Sequence, residues 1–400
     1  MADQYNLVSE PAAGPSAGGG RWAPARSARR AGPPRDAVIA VTGHCNAHCV
    51  MCDIWKHRQA DELRPEHMRR LPPELASVNL SGGEPFLRVD LPQFVREVRS
   101  RCGRAVITLS TNGYLSQRIA DTMERIVDID PAVRLAISLD GLGSVHDRVR
   151  GDGGAFDSVI RLLDLLQGRG CRGVRLSMTL SQVNADQVLG VAELARSRGL
   201  ELGIVAAHRC RTHMRLENGV AGQPTEAPRR SFQTLVARWL RSWNPRQWLR
   251  AHFAANTYRY LARIPQALVC RAGRDFFFLQ ADGTVYACGV NGRVMGNLVE
   301  QEWEEVWNSP AAGSARSAAE RCGGNCWIVC TVRSWYRRHA WSVAAWVAGQ
   351  KLLSHLRLLR LPAPPAEEAD DTRSAGAEAP ASPASAVNLP IEAPRADPSH

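Results

Sequence analysis

The sequence has almost no lysine: Lys56 and Lys351 are the only two, and arginine supplies the rest of the 50 basic residues. The formal net charge of +11 therefore rests on arginine, and alanine is abundant as well. This bias is what a GC-rich genome produces, so the positive charge is only weak evidence for an anionic partner. No RNA-binding motif is present either, and we do not expect nucleic acid as a partner.

Long apolar segments are also missing. The stretch MADQYNLVSEPAAGPSAGGG at the start has no apolar signal core, and no run reaches the roughly 18 apolar residues that a membrane-spanning helix needs. The apolar content of 44% is ordinary for a globular protein, so the chain can bury a core. We expect a protein of the reducing cytoplasm without a membrane span.

Cysteine, in contrast, is frequent and unevenly distributed. Eight of the eleven cysteines fall into two groups, which are Cys45, Cys49 and Cys52, and then Cys270, Cys288, Cys322, Cys326 and Cys330. This distribution does not fit a secreted disulfide scaffold. In a reducing compartment, clustered thiols indicate metal binding before they indicate disulfides. Among the isolated cysteines, Cys210 stands out because it follows the sixth predicted strand.

Between two ends of low complexity, the sequence alternates regularly. Residues 1–35 and 362–400 are rich in Ala, Pro and other small or polar residues, and we predict that both are disordered. The predicted strands are 37–41, 77–80, 106–110, 135–139, 174–180 and 202–206, and the predicted helices between them include 91–102, 116–127, 156–167 and 186–198. Six β-α units of this kind give a parallel sheet that lies open or curls into a full or partial (β/α) barrel.

The unusual motifs all follow predicted strands. The first cysteine group follows the first strand, SGGEP (81–85) the second, STNG (110–113) the third and SLDG (138–141) the fourth. In open and barrel-like parallel sheets, ligands bind at the carboxyl ends of the strands. We therefore predict that one rim of the sheet carries a functional site made of these four motifs.

The spacing Cys-x3-Cys-x2-Cys of the first group allows two kinds of metal site. With His44, His48 or His57 as a fourth ligand, it would be a structural zinc site. Alternatively, the three thiolates bind three irons of a [4Fe–4S] cluster and leave the fourth iron open. An open coordination position distinguishes a catalytic metal from a structural one.

With these motifs, the sequence resembles the radical S-adenosylmethionine (SAM) superfamily. The resemblance covers about residues 37–206 and rests on C-x3-C-x2-C after the first strand together with SGGEP, STNG and SLDG after the next three. One departure is Met51, where the family often has an aromatic residue, but methionine still gives the cluster a soft apolar cover. The resemblance implies an α/β fold with a partial (β/α)6 TIM-like barrel.

The resemblance also implies roles for individual residues. SAM would chelate the open iron of a [4Fe–4S] cluster held by Cys45, Cys49 and Cys52. The residues implied in SAM binding are Gly82, Gly83, Glu84, Pro85, Asn112, Ser138, Asp140 and Arg150. The glycines would allow close backbone approach, Pro85 would fix the turn, and Glu84 or neighbouring carbonyls would accept the SAM amino group.

Three of these residues lie after the fourth predicted strand. Ser138 and Asp140 would handle the ribose and carboxylate of SAM, and Arg150 would pair with the carboxylate. Plainer alternatives are a simple turn at Asp140-Gly141 and a solvated loop charge at Arg150.

The implied reaction is electron transfer from the reduced cluster into SAM, which gives methionine and a 5′-deoxyadenosyl radical that abstracts hydrogen from a substrate. An electron donor of flavodoxin or ferredoxin type is implied. The substrate class stays open between a peptide, a sugar or cyclitol, and a lipid precursor. A separate peptide-recognition domain is not visible near the start, which weakens the peptide alternative. The sequence identifies no catalytic acid or base.

The second cysteine group resembles the auxiliary-cluster subdomain of the SPASM/twitch branch of the same superfamily. The pattern is Cys270-x12-Gly283-x4-Cys288 followed by Cys322-x3-Cys326-x3-Cys330, and FFFLQADGTVYAC predicts a hairpin that turns at Asp282-Gly283. A full SPASM domain carries more cysteines for two clusters, so the resemblance implies one auxiliary [4Fe–4S] cluster. Its ligands would be Cys270, Cys288 and two of the last three cysteines. A zinc ribbon is the alternative.

These patterns divide the chain as follows: a radical SAM barrel at 36–207, an Arg/Trp-rich helical segment at 208–269, the auxiliary-cluster subdomain at 270–332 and a basic amphipathic helix at 333–361. The Arg/Trp helices fit packing on the barrel or peripheral contact with a membrane, and fit nucleic acid less well. The rival to an enzyme is a non-catalytic zinc-binding adaptor that contacts a membrane or nucleic acid.

Overall fold

The computed structural model describes residues 31–364 except 58, 59, 182, 209, 211, 215–225, 267, 291 and 323–325, and gives only the backbone of residues 226 and 227. Residues 1–30 of the predicted amino-terminal arm and residues 365–400 of the predicted tail lie outside the described residues.

Six parallel strands form the first part of the sheet. They are β1 (Asp36–Thr42), β2 (Ser77–Gly82), β3 (Val106–Thr111), β4 (Arg134–Ser138), β5 (Val174–Leu180) and β6 (Glu201–Ala206). Each strand pairs in parallel with the next one along the chain. Every predicted strand is confirmed to within two residues at either end, which is the usual uncertainty of a strand boundary. Their order is that of the partial (β/α)6 barrel.

Helices connect these strands. They are α1 (Leu91–Arg101), α2 (Ser116–Ile129), α3 (Ser144–Arg150), α4 (Ala155–Gly168) and α5 (Val188–Ser197). In α2, for example, Ile119, Met123 and Ile126 recur at helical spacing and are buried against the core. The helix α3 was not predicted from the sequence, because it is only seven residues long and carries mostly charged or polar side chains.

The sheet continues beyond the six-stranded unit on the other side of β1. There β7 (Phe276–Leu279) pairs with β1 in parallel, and β8 (Thr284–Tyr286) and β9 (Val294–Asn297) follow in antiparallel order. The full order is β6-β5-β4-β3-β2-β1-β7-β8-β9. The predicted hairpin at Asp282-Gly283 is confirmed, and Gly283 has the left-handed φ of 84° that favours glycine in such turns. The region of the second cysteine group is thus built onto the sheet beside β1.

The remaining described helices are α6 (Glu226–Arg241), α7 (Pro245–Leu261), α8 (Trp303–Asn308), α9 (Pro310–Arg321), α10 (Val329–Arg338) and α11 (Ala340–His355). We predicted one basic helix over 333–361, but the structure has two, because the chain leaves helical geometry at His339 with φ −122° and ψ 34°. Among the described residues, none of the helices combines the length and apolar character needed to cross a bilayer.

The helix α10 is tied to the amino ends of β1 and β7 by buried charges. Arg333 Nη1 lies 3.1 Å from the buried Asp36 carboxylate, and Arg337 pairs with the same group. Arg338 pairs with Asp275, which precedes β7, at 2.6 Å. This clamp lies at the end of the sheet opposite to the rim that carries the motifs.

Candidate functional site

The first cysteine group lies on the loop after β1, and Asp61 fixes the start of that loop. The Asp61 carboxylate accepts hydrogen bonds from Thr42 Oγ1 at 2.5 Å and from the Gly43 amide at 2.8 Å. Thr42 Oγ1 in turn accepts the His44 amide at 3.1 Å. The chain therefore turns at the end of β1 and presents the cysteines at the rim. Asp61 belongs to no motif and was not predicted from the sequence.

Two glycines bring the SGGEP loop against the cysteine loop. A Cβ on Gly82 would stand 2.3 Å from the Thr42 carbonyl oxygen, and one on Gly83 would stand 1.9 Å from the His44 carbonyl oxygen. The Gly83 amide donates to Thr42 O at 2.8 Å, and the Glu84 amide donates to His44 O at 2.8 Å. No side chain fits between the two backbones, so both positions require glycine.

The buried carboxylate of Glu84 links the second loop to the third. It accepts hydrogen bonds from the Phe86 amide at 3.1 Å, from Thr111 Oγ1 at 2.9 Å and from the Asn112 amide at 2.7 Å. Burial raises the pKa of Glu84 to about 7, although these hydrogen bonds act in the opposite direction. Pro85 begins the short 3-10 turn Pro85–Leu87 that follows.

Asn112 then links the third loop back to the cysteines. Its side-chain amide Nδ2 donates to Asn46 Oδ1 at 2.8 Å, and its Oδ1 accepts the Tyr114 amide at 3.0 Å. Asn46 lies between Cys45 and Cys49, so the STNG motif holds the cysteine loop directly. The neighbouring Tyr114 packs against the apolar surroundings of the three thiols.

The fourth loop contributes a buried ion pair. Arg150 Nη2 lies 2.6 Å from Asp140 Oδ2, and Asp140 Oδ1 accepts the Thr179 amide at 2.7 Å. The alternative of a solvated loop charge at Arg150 is wrong, because the side chain is buried. Burial lowers the pKa of Arg150, but the combined effect of Asp140, Cys49 and Tyr114 outweighs it and the pKa is raised. Ser138 ends β4 beside this pair and is half-buried.

Arg150 also contacts the cysteine loop. Its Nη1 lies 3.6 Å from Cys49 Sγ, and its carbonyl accepts the His48 amide at 3.1 Å. The next residue, Gly151, has a left-handed φ of 69°, and a Cβ there would stand 2.3 Å from His48 O. The Arg150 Nε is buried and has no hydrogen-bond partner among the described residues. One donor on this guanidinium thus stays available inside the site.

The three thiols have largely apolar surroundings. Cys45, Cys49 and Cys52 pack with Met51, Val149, Ala207 and Met214. Burial raises the pKa of Cys45 to about 11 and that of Cys52 to about 12, so neither thiol ionises readily without a cation. Three soft sulfur donors, an apolar cover and an arginine N–H directed at Cys49 fit an iron–sulfur cluster.

The conformation of the cysteine side chains is not that of a closed metal site. Within the parts of the chain that the structure describes, no three His, Cys, Asp or Glu side chains are arranged to hold a metal ion together as they stand. The loop contacts at Asp61, Glu84 and Arg150 fix the backbone that carries the three thiols.

The second cysteine group divides into four neighbours and one outlier. After burial, the causes that raise the pKa of Cys326 to about 12 are the nearby thiols of Cys288, Cys322 and Cys270. Burial likewise raises the pKa of Cys330 to about 12, but its largest charged neighbours are Arg333 and Asp36 of the α10 clamp, ahead of the Cys288 thiol. Cys330 therefore faces the amino end of β1.

Cys210 lies between the two cysteine groups. Its Sγ donates to the carbonyl of Gly289, the residue after Cys288, at 2.9 Å, and accepts the Met214 amide at 3.2 Å. It is close enough to Cys52 and to Cys326 to contribute to the raised pKa of each. The sequence singled out this cysteine by its place after β6, and the structure puts it at the junction of both regions.

A parallel (β/α)6 unit with three thiols among glycine-rich rim loops defines a class of SAM-dependent iron–sulfur protein, and comparison with family models agrees. Residues 39–195 match the radical SAM superfamily, and residues 270–331 match the SPASM iron–sulfur cluster-binding domain. The chain belongs to the radical SAM superfamily and carries a carboxyl-terminal SPASM domain.

Relatives cover most of the chain. It is 26% identical over 322 residues to an AdoMet-dependent heme synthase of Methanosarcina barkeri, across 74% of this chain and 88% of the relative. It is 28% identical over 330 residues to the mycofactocin maturase MftC of Mycolicibacterium smegmatis, across 73% of this chain and 78% of the relative. The fold resembles that of anSMEcpe with bound AdoMet and Cp18Cys peptide, with a TM-score of 0.53 and 15% identity. The match covers 79% of this chain and 99% of that chain.

These findings establish the general activity. The chain is a radical SAM enzyme that binds SAM and a [4Fe–4S] cluster, and its SPASM domain is an auxiliary iron–sulfur cluster-binding domain. The rival interpretation as a zinc-binding adaptor receives no support from the family models or the relatives.

Proposed function

We propose that this enzyme cleaves SAM reductively at a [4Fe–4S] cluster held by Cys45, Cys49 and Cys52, and takes a hydrogen atom from a carbon of a biosynthetic precursor. The observation that carries the proposal is the meeting of these thiols with the SGGEP, STNG and SLDG loops at one rim. When bound, the cluster supplies an electron and SAM supplies the 5′-deoxyadenosyl group that receives the hydrogen. A flavodoxin- or ferredoxin-type protein is the proposed electron donor.

The protein's own part begins with the surroundings of the thiols. An N–H of Arg150 directed at Cys49 Sγ stabilises negative charge on that sulfur, which favours the thiolate form and tunes the potential of a bound cluster. Met51 and Val149 exclude water from the same space. The ion pair with Asp140 prevents Arg150 from turning toward solvent.

The SAM-binding residues divide into positioning groups and contacting groups. The Glu84 carboxylate is occupied by three donors of the chain itself, so we assign it to positioning and assign the SAM amino group to backbone carbonyls of the loop Gly82–Pro85. Asn112 holds the cysteine loop at Asn46 in the same way. Asp140, whose oxygens pair with Arg150 and the Thr179 amide, is likewise a positioning group. Ser138 is assigned to the ribose side, and the unpartnered Nε of Arg150 to the SAM carboxylate.

For the auxiliary site we propose one [4Fe–4S] cluster with four cysteine ligands, Cys270, Cys288, Cys322 and Cys326. In addition to burial, the nearby thiols of Cys288 and Cys322 raise the pKa of both Cys270 and Cys326, which supports this set, whereas the largest charged neighbours of Cys330 are Arg333 and Asp36. With all four irons ligated by protein, such a cluster would transfer an electron and would not bind substrate directly.

For the substrate we favour a peptide over a sugar, cyclitol or lipid precursor. Support comes from the mycofactocin maturase, a relative over 78% of its own length whose name denotes the completion of a precursor. A second candidate is a tetrapyrrole, because the heme synthase is matched over 88% of its length. Anaerobic incubation with each class, followed by mass spectrometry, separates the two: a product lighter by hydrogen in only one class identifies the substrate.

The cluster assignment is tested by anaerobic reconstitution. We expect about eight irons per chain, two clusters of four, and formation of 5′-deoxyadenosine when SAM and a reductant are added. The triple variant Cys45→Ala, Cys49→Ala, Cys52→Ala should lose about half of the iron and all SAM cleavage. The variant Cys102→Ala, which changes a buried cysteine outside both groups, serves as control. SAM cleavage by the triple variant would refute the assignment.

The auxiliary ligand set is tested by comparing two neighbouring cysteines. We expect Cys326→Ser to lose up to half of the iron and the spectroscopic signature of the second cluster, and Cys330→Ser to keep both. The reverse result would move Cys330 into the ligand set. Because iron content and spectra are measured on the reconstituted protein without substrate, this outcome does not depend on the identity of the substrate.

A further inference from the structure

The outer face of α11 is apolar and has no partner among the described residues. Its inner face packs on α6 and α7 through the buried Val343, Val347 and Ser354, and Ser354 Oγ donates to Ala237 O at 3.0 Å. On the outer face, Trp341 is 88% exposed and Leu352 is 62% exposed. Ala345, Ala348 and Gly349 are exposed between them at helical spacing. The helix is thus rigidly held with an apolar stripe directed to solvent.

Further apolar side chains extend this surface at the carboxyl end of α11. Leu356 is 57% exposed and Leu358 is 59% exposed. Trp243, in the turn between α6 and α7, is 92% exposed and lies 5.9 Å from the ammonium group of Lys351 on α11. Large exposed side chains that adjoin one another in this way mark an interaction surface, whereas single exposed ones do not.

The charged side chains of α10, α11 and the residues directly after them are all basic. No aspartate or glutamate occurs between Glu320 and Glu367, a span that contains all of α10 and α11. Arg357 and Arg360 are exposed directly after α11, and His339 and His355 are exposed at its two ends. Lys351 donates to Leu240 O at 2.7 Å and lies over the Trp248 ring at 4.4 Å, so its cation stays beside the apolar stripe.

We propose that the outer face of α11, with Trp243, Leu356 and Leu358, docks peripherally onto an anionic lipid bilayer. A tryptophan at each end places amphipathic rings at the headgroup level, and the leucines between them enter the acyl boundary. The arginines that follow α11 meet anionic headgroups, each favouring binding through electrostatic attraction. This surface is distinct from the rim that carries the SAM-binding loops, and the proposal does not rest on the proposed reaction.

A second copy of the chain fits this face less well. In a two-fold symmetric dimer the same patch meets itself, so the arginines and Lys351 of one copy would lie against those of the other. No acidic side chain on α10 or α11 compensates that repulsion. An anionic bilayer supplies the missing charge, and it accepts a flat apolar stripe without shape complementarity.

The test uses the reconstituted full-length protein and vesicle flotation. We expect binding to vesicles that contain phosphatidylglycerol to be at least about tenfold stronger than to vesicles of phosphatidylcholine alone, and to weaken with added salt. The double variant Trp341→Ser, Leu352→Ser should lose at least about tenfold in partitioning. The variant Val89→Ser, which removes another exposed apolar side chain far from α11 in the sequence, should bind as the wild type does.

Two further measurements keep the result interpretable. The pair Arg357→Asn, Arg360→Gln should lower binding to anionic vesicles while leaving the weak binding to neutral vesicles unchanged. All changed side chains are exposed, so circular dichroism should show unaltered folding. Equal partitioning of wild type and double variant would overturn the proposal. A dimer in sedimentation velocity that the double variant abolishes, without vesicle binding by the wild type, would overturn it in favour of a second copy.

Discussion

Glu84 connects three of the four rim loops, the second and third through its carboxylate and the first through its backbone amide. Its two carboxylate oxygens receive the amides of Phe86 and Asn112 and the hydroxyl of Thr111. All three partners are donors, so the site requires an acceptor at both oxygens. This explains why a buried acid with a raised pKa is kept here although burial disfavours its charge.

Replacing Glu84 by glutamine tests this role. The amide oxygen can keep two of the donors, but the NH2 group would face the Asn112 amide and leave two donors opposed. We expect Glu84→Gln to lower the free energy of unfolding by about 1–3 kcal/mol, measured by urea denaturation of the reconstituted protein. Glu74→Gln, at an exposed position, should change it little. Equal stability of the two variants would mean that Glu84 does not hold the loops.

Single residues differ in how far the sequence alone predicts them. Cys45, Cys49, Gly83 and Asn112 were found because they form motifs at the ends of predicted strands. Their exact partners were not predicted. The two glycines of the SGGEP loop, for example, pack against the chain's own backbone at Thr42 and His44, which no local pattern indicates. Asp61 and Asn46 escaped prediction because each acts through one or two hydrogen bonds to residues that only the fold brings near.

Among the elements, α10 is attached to the sheet through charged side chains. Its inner side meets Asp36 and Asp275 through three arginines, and Asp36 is almost fully buried. Breaking a buried pair leaves an uncompensated charge, which is more costly than losing an exposed pair. The attachment of the helix therefore rests on a few ion pairs at the amino ends of β1 and β7.

The variant Asp36→Asn should loosen this attachment. We expect the free energy of unfolding to fall by about 1–3 kcal/mol, less than for a fully buried pair because both arginines are partly exposed. Hydrogen exchange of α10 should accelerate. The matched control Glu320→Gln removes a surface pair with Arg274 and should cost at most about 1 kcal/mol. Slow exchange of α10 in Asp36→Asn would contradict the clamp.

The elements of the six-stranded unit were predictable because their apolar periods are strong, as in 174–180, where prediction and structure coincide. The position of β7 in the sheet was not predictable from the sequence. Four consecutive apolar residues in Phe276–Leu279 indicate a buried strand, but nothing in the local pattern tells which edge it joins. Long-range pairing is a property of the whole sheet.

Over the whole molecule, several histidines are buried in the neutral state. Burial lowers the pKa of His146 to about 3 and those of His208 and His252 to about 4. His252 has Tyr336 Oη 2.8 Å from its Nδ1 and is packed by Trp335 and Trp346. The unfolded chain binds protons at these sites near pH 6.5, whereas the folded chain does not.

Stability should therefore depend on pH through these histidines. Each one contributes stability that is complete above about pH 6.5 and is lost as the pH falls toward its folded value, by about 1.4 kcal/mol per pH unit. We expect the free energy of unfolding, measured by urea denaturation between pH 6 and pH 5, to change less steeply with pH in His252→Asn than in the wild type, by about 1.4 kcal/mol per pH unit. Because other groups titrate equally in both proteins, their effects cancel. Identical slopes would mean that His252 is protonated in the folded state.

The neighbours of β1 also have a bearing on how the chain is made. One edge of β1 pairs with β2, the next strand to be synthesised. The other edge pairs with β7, which leaves the ribosome only after the whole six-stranded unit. Until then an apolar strand in the middle of the final sheet offers unpaired N–H and C=O groups. A nascent chain or fragment that ends before Phe276 is therefore expected to aggregate, and the SPASM region acts as an intramolecular cover for the strand that was synthesised first.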